Sequence, residues 1–201
     1  GGGGGGGGVG LVVGAEGGAG VGGGVLAAGC GIAVAGNLVG TPFGYGAMPG
    51  DAGRMSALAT YFSTTWVPSD AADPGLPPEY PPLYPMLLGR VAALTGRQAW
   101  SLLGTSQALL IAASVLVAFL LWRRMVPSQI ALALSGTVFI GLSEPSKANE
   151  VFALSLFLPL LLATFAPPRD TRPLNPDVAG RLFGLMVPLY PNFLMLGLVG
   201  H

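Results

Sequence analysis

The sequence predicts an all-α integral membrane protein with about five transmembrane helices and a long first external loop that holds amphipathic surface helices. Three observations carry this expectation. Charged residues make up 9% of the 201-residue chain and hydrophobic ones 51%, where a soluble domain has about a quarter charged. Mean hydropathy is +0.65, which places the chain among membrane proteins before any pattern is read. Finally, polar residues gather in one segment between apolar runs: Asp51, Asp70, Asp73 and Glu79, four of the nine acidic residues, all fall there.

The formal net charge is zero, so nothing suggests a nucleic-acid partner. Cys30, the single cysteine, rules out an intrachain disulfide and reads as a small packing residue in an apolar run. With one Cys and one His, His201, the chain cannot build a zinc site of the usual kind.

Residues 1–20 are glycine-rich and offer few side chains to bury, so they are expected to be disordered, with a membrane domain over 21–201. Gly18, Gly20 and Gly23 spell G-x-G-x-x-G, but no acidic residue follows at the spacing a dinucleotide site needs, and in a glycine tract the pattern arises by chance.

Val21–Val39 is the first expected span, at about the minimum length for crossing the hydrocarbon layer. Thr41-Pro42 ends it and opens the external loop, 41–98. Within the loop, Met55, Leu58 and Phe62 recur at helical spacing, with Asp51 on the N-terminal extension of that stripe. This predicts a surface helix over Asp51–Phe62. Ser69–Pro82 is irregular by its prolines. Leu83, Met86, Leu87, Val91 and Leu94 share a face of a second surface helix, which also carries Arg90 and is capped at Thr95-Gly96. Ala99–Trp122 is a full span bracketed by Trp100 and Trp122 at the aromatic-belt positions. Ser128–Leu142, Val151–Phe165 and Leu182–Val199 complete the expected spans, with the polar turn 143–150 between two of them.

Orientation follows from basic residues. Arg123 and Arg124 share a face with Arg169, Arg172 and Arg181, and short Arg-rich loops stay cytoplasmic. The loop 41–98 and the turn 143–150 are then both outside.

Asp51 is the residue best placed for chemistry. A carboxylate heading an apolar helix face is partly desolvated and suited to act as a base. Asp is equally a preferred N-cap, and both readings stand at this point. Arg54 lies one turn on. Arg54, Arg90 and Lys147 are candidates for phosphate contact, and Glu79 and Tyr80 for lining a sugar site. Each also reads as an ordinary surface or headgroup residue.

Several motifs then recur in order. They are Leu76-Pro77-Pro78-Glu79-Tyr80-Pro81-Pro82, Gly89-Arg90-Val91-Ala92-Ala93-Leu94-Thr95-Gly96, Ala99-Trp100, Leu121-Trp122-Arg123-Arg124-Met125 and Ser143-Glu144-Pro145. Together, over about residues 44–165, they resemble the galactan 5-O-arabinofuranosyltransferase family of membrane enzymes. The resemblance implies a glycosyltransferase of C-type architecture in the plasma membrane, with its active face extracytoplasmic. It would transfer arabinofuranose from decaprenyl-phosphoryl-arabinose to the galactan of cell-wall arabinogalactan. The partners it implies are a lipid-linked sugar donor, the galactan acceptor and the membrane. No cofactor is certain, and a divalent cation is the one to be considered.

In the resembled family an acidic residue of the first external loop is essential, and its G-x-x-x-D motif falls on Ala47-Met48-Pro49-Gly50-Asp51, so the role falls to Asp51. The first position is Ala47 here, not Gly, and Glu79 stands where the family often has an aromatic. The family has more spans and a soluble C-terminal domain, so the chain is expected to be an N-terminal fragment, inactive by itself. Competing readings are a related polyprenyl-phosphate mannosyl- or glucosyltransferase and a non-enzymatic transport subunit. A transport subunit would be expected to carry charges within its spans, and here they sit in loops and at span ends.

Overall fold

The computed structural model describes residues 7–47, 49–73, 75–78, 80–141 and 147–165, with isolated positions 177, 180, 181 and 184. The elements are helices throughout: α1 (Gly7–Asn37), α2 (Gly50–Thr64), α3 (Leu83–Thr95), a 3-10 turn (Ala99–Leu102), α4 (Leu103–Trp122), α5 (Ser128–Gly141) and α6 (Ala148–Phe165). The α2–α6 boundaries fall within a few residues of the expected ones. Helix α1 differs, because it begins at Gly7, inside the segment expected to be irregular. An apolar chain without water must satisfy its backbone groups internally, and glycine is tolerated in helices under that constraint. Gly18, Gly20 and Gly23 accordingly lie on a helix and not on a phosphate-binding turn.

Two segments, Gly20–Asn37 and Ala99–Trp122, are long and apolar enough to cross a membrane. The expected five spans are seen only to that extent. Helices α5 and α6 are 14 and 18 residues long, and the expected Leu182–Val199 span lies outside the described residues apart from Gly184.

Helix α4 is the centre of the bundle. Helix α1 runs antiparallel to it. A Cβ on Gly23 would fall within the Phe119 ring, and one on Gly31 would lie 3.0 Å from the Cβ of Ala112. Helix α6 runs parallel to α4: Ala148 and Val151 cluster with Ala108 and Ile111, while Leu156 and Leu160 pack with Val117 and Leu121. Cys30 is buried in the first of these clusters, as a packing residue. Helix α5 closes the other end, where Ala131 meets Ala118, Phe119 and Trp122. Buried serines on α4, α5 and α6 return their hydroxyls to their own helix: Ser114 to the Leu110 carbonyl, Ser135 to Ala131 and Ser155 to Val151.

The loop between α1 and α4 folds into a crossed-back hairpin, in which residues 65–82 return so that α2 and α3 run in the same direction, with Asp51 beside Tyr80 and Thr65 beside Arg90. The stripe Met55, Leu58 and Phe62 is buried, at 7%, 2% and 0% exposure. It therefore faces protein, with Met55 in a cluster with Tyr84, Leu88, Ala92, Leu102 and Leu103, and not lipid as expected. Helix α3 divides differently. Tyr84, Pro85, Leu88, Gly89 and Ala92 form its packed face. The stripe expected on the membrane is the one left open, with Leu87, Val91 and Leu94 at 55%, 48% and 87% exposure. Gly96, at φ 66°, ends α3, and the Arg97 N–H closes onto the Ala92 carbonyl at 3.1 Å. The hairpin caps the end of α4 where α1 finishes and α6 begins. Arg123 and Arg124 lie at the opposite end.

Candidate active site

The approach to Asp51 is anchored on α4. Gln107, 2% exposed, accepts the Tyr45 N–H at 2.8 Å, and its Nε2 donates to the Tyr45 carbonyl at 3.4 Å. Buried polar groups must be paired; here one amide side chain and one stretch of loop backbone satisfy each other. The chain then turns sharply. Gly46 and Ala47 have φ of 84° and 51°, and Gly50 has φ 59° as it enters α2. A non-glycine residue at positive φ is uncommon, so Ala47 marks a turn held by its surroundings.

Asp51 therefore stands in the first turn of α2, where a negative charge is favoured by the helix dipole. It is not the N-cap. That position is Pro49, which makes no side-chain cap bond. Nor is Asp51 partly desolvated as expected: it is exposed, because the apolar stripe below it turns into α3. Its partner is Tyr80, whose hydroxyl donates to Oδ1. Two of the residues selected from sequence are thus brought together across 29 positions of chain.

The segment leading to Tyr80 is irregular but closed. Ser69 Oγ donates to the Leu76 carbonyl at 3.2 Å and accepts the Gly75 N–H at 2.9 Å. The Asp70 carboxylate accepts the N–H groups of Ala72 and Asp73 at 2.8 and 3.2 Å. Asp70 is therefore an Asx-turn residue.

The other candidates are placed as follows. Glu79 lies outside the described residues. Arg54 is exposed on α2, and Lys147 is half-buried just before α6. Arg90 is committed to the hairpin: Nη2 donates to the Thr65 carbonyl at 2.7 Å, and the guanidinium stacks 4.3 Å from the Trp66 ring centroid. Its Nε is buried without a hydrogen-bond partner among the described residues. Tyr84 ties the hairpin to α4 through Ser106, the hydroxyls being 2.8 Å apart, and burial pushes the phenol up to about 12. Among the described residues no group of three or more His, Cys, Asp or Glu could hold a metal ion.

Sequence reading missed Gln107, Ser106 and the Arg90–Trp66 stack. Gln107 carried a signal, being the one amide within the apolar run of α4. Beside the hairpin, α1 and α4 leave a groove of about 500 Å³, lined by Gly31, Ile32, Leu38, Phe43, Thr105 and Ala108.

Fold and site together define a helical protein with membrane-length spans and a side-chain-rich hairpin gathered at one end. Residues 51–165 match the family described as arabinofuranosyltransferase N terminal, more than half of the chain, and the protein belongs to that family. It is 35% identical over 95 residues to galactan 5-O-arabinofuranosyltransferase of Mycobacterium tuberculosis, in both strain CDC 1551 / Oshkosh and strain ATCC 25618 / H37Rv. The aligned region covers 46% of this chain and 15% of each relative. No solved structure matches.

Proposed function

We propose that this chain is the N-terminal part of a membrane glycosyltransferase that transfers arabinofuranose from decaprenyl-phosphoryl-arabinose to the galactan of cell-wall arabinogalactan, with inversion, at the extracytoplasmic face of the plasma membrane. The observation that carries the reading is the family match, which begins at Asp51 and runs through the hairpin, α4, α5 and α6. The placement of Arg123 and Arg124 away from the hairpin supports the external orientation.

Asp51 acts as the base. The acceptor hydroxyl gives its proton to the carboxylate as its oxygen bonds the anomeric carbon and the bond from that carbon to the phosphate oxygen breaks. The lipid phosphate leaves as an anion and needs no proton. Its charge is met by Arg54 and Lys147, while Arg90 shapes the hairpin that carries Asp51. The isoprenoid tail lies in the apolar groove between α1 and α4.

The test supplies membranes expressing the protein from its complete gene with labelled polyprenyl-phosphoryl arabinose, mannose or glucose and a galactan acceptor. Arabinose alone is expected on galactan. Transfer of mannose or glucose in its place assigns the chain to a related transferase, and transfer of no sugar overturns the enzymatic reading.

A further inference from the structure

Tyr80 was expected to line a sugar site, but its hydroxyl is spent on the carboxylate. The two side chains are unequal. Asp51 is exposed, and an exposed carboxylate samples several rotamers. Tyr80 is half-buried and packs against the cluster of Met55, Ala59, Tyr84 and Leu88. Pro77 and Pro78 precede it and Pro81 and Pro82 follow it, and each ring fixes its own φ. The segment is further stiffened by the closed Ser69–Leu76 loop. A braced donor therefore holds one oxygen of an otherwise mobile carboxylate. Among the described residues no second hydrogen bond reaches that carboxylate.

We infer that Tyr80 is a positioning residue for Asp51: its O–H holds Oδ1, so that Oδ2 is presented to the acceptor hydroxyl. This rests on the reading of Asp51 as base. In the transfer step the acceptor's proton passes to Oδ2, and Tyr80 keeps its own proton throughout. Tyr80 contributes orientation alone, so it acts on the rate of the chemical step and not on binding of either substrate.

Tyr80→Phe keeps the ring and its packing and removes only the O–H. In membranes expressing the protein from its complete gene, with rates normalised to folded protein, kcat is expected to fall about tenfold or more, with KM for donor and acceptor within about twofold of wild type. Asp51→Asn is measured in parallel. If Asp51→Asn is inactive while Tyr80→Phe leaves kcat unchanged, or raises KM instead, the positioning role is overturned and the base reading survives. If Asp51→Asn retains full transfer, the base reading fails and this inference falls with it.

Discussion

The α2–α3 hairpin, whose helices run in the same direction, and the antiparallel α1–α4 pair both have glycine at the crossing, yet they are held differently. In α1–α4, Gly31 meets Ala112 and Gly23 receives the Phe119 ring, so the contact is one of small residues and apolar shape. Such packing suits helices whose outer faces meet lipid. In the hairpin, a Cβ on Gly89 would lie 2.5 Å from the Ala59 carbonyl oxygen and 2.8 Å from backbone atoms of Phe62 and Ser63. Around that contact stand directed polar contacts: Arg90 to Thr65, Tyr84 to Ser106 and Tyr80 to Asp51. The membrane-length pair is apolar, tight where Phe119 fills the space at Gly23 and more tolerant at Gly31. The hairpin is specified residue by residue, and Asp51 and Tyr80 sit there because a fixed geometry is available.

This difference predicts unequal responses to substitution. The largest effect is expected for Gly89→Val, where backbone atoms of α2 cannot yield; overpacking costs about 3 kcal/mol and would expose the hairpin to protease in membranes or detergent. Protection equal to wild type would mean the hairpin is as forgiving as the spanning pair. Gln107→Leu comes next. It strands both backbone groups of Tyr45 and is expected to cost about 2 kcal/mol, read as a lower melting temperature in detergent. Gly31→Ala should cost under about 1 kcal/mol, since Ala112 and the Ala108 carbonyl, at 3.0 and 3.2 Å, need shift only slightly. A larger loss there than at Gly89 would reverse the comparison.

The smallest effect is confined to alkaline pH. Tyr84 has an ordinary value of 10.0 and is pushed up to about 12 by burial. The folded protein keeps this phenol protonated where the unfolded chain releases the proton. The contribution is therefore intact below pH 10 and is lost as pH climbs toward 12. Tyr84→Phe should flatten stability across that window, measured by thermal melts at stepped pH.

Much of the fold was legible because apolar periodicity and proline are local signals. The α2 stripe, the α3 cap at Gly96 and the α4 run could all be read from neighbours in sequence. What each apolar face meets is not local. Nothing in Met55, Leu58 and Phe62 says that they are buried within the protein, nor that Leu87, Val91 and Leu94 remain open. At the site, sequence singled out Asp51 and Tyr80 separately, while their contact spans 29 residues and depends on the closed Ser69–Leu76 loop. The expected desolvation of Asp51 failed for the same reason: its neighbours Ala52 and Met55 are buried while Asp51 itself stays exposed.

The most direct measurement is arabinose transfer by Asp51→Asn, expressed from the complete gene and compared with wild type at equal amounts of folded protein. Asparagine keeps an oxygen for Tyr80 but cannot take the acceptor's proton, so the rate is expected to fall by about a hundredfold or more. Transfer within a few-fold of wild type would contradict it.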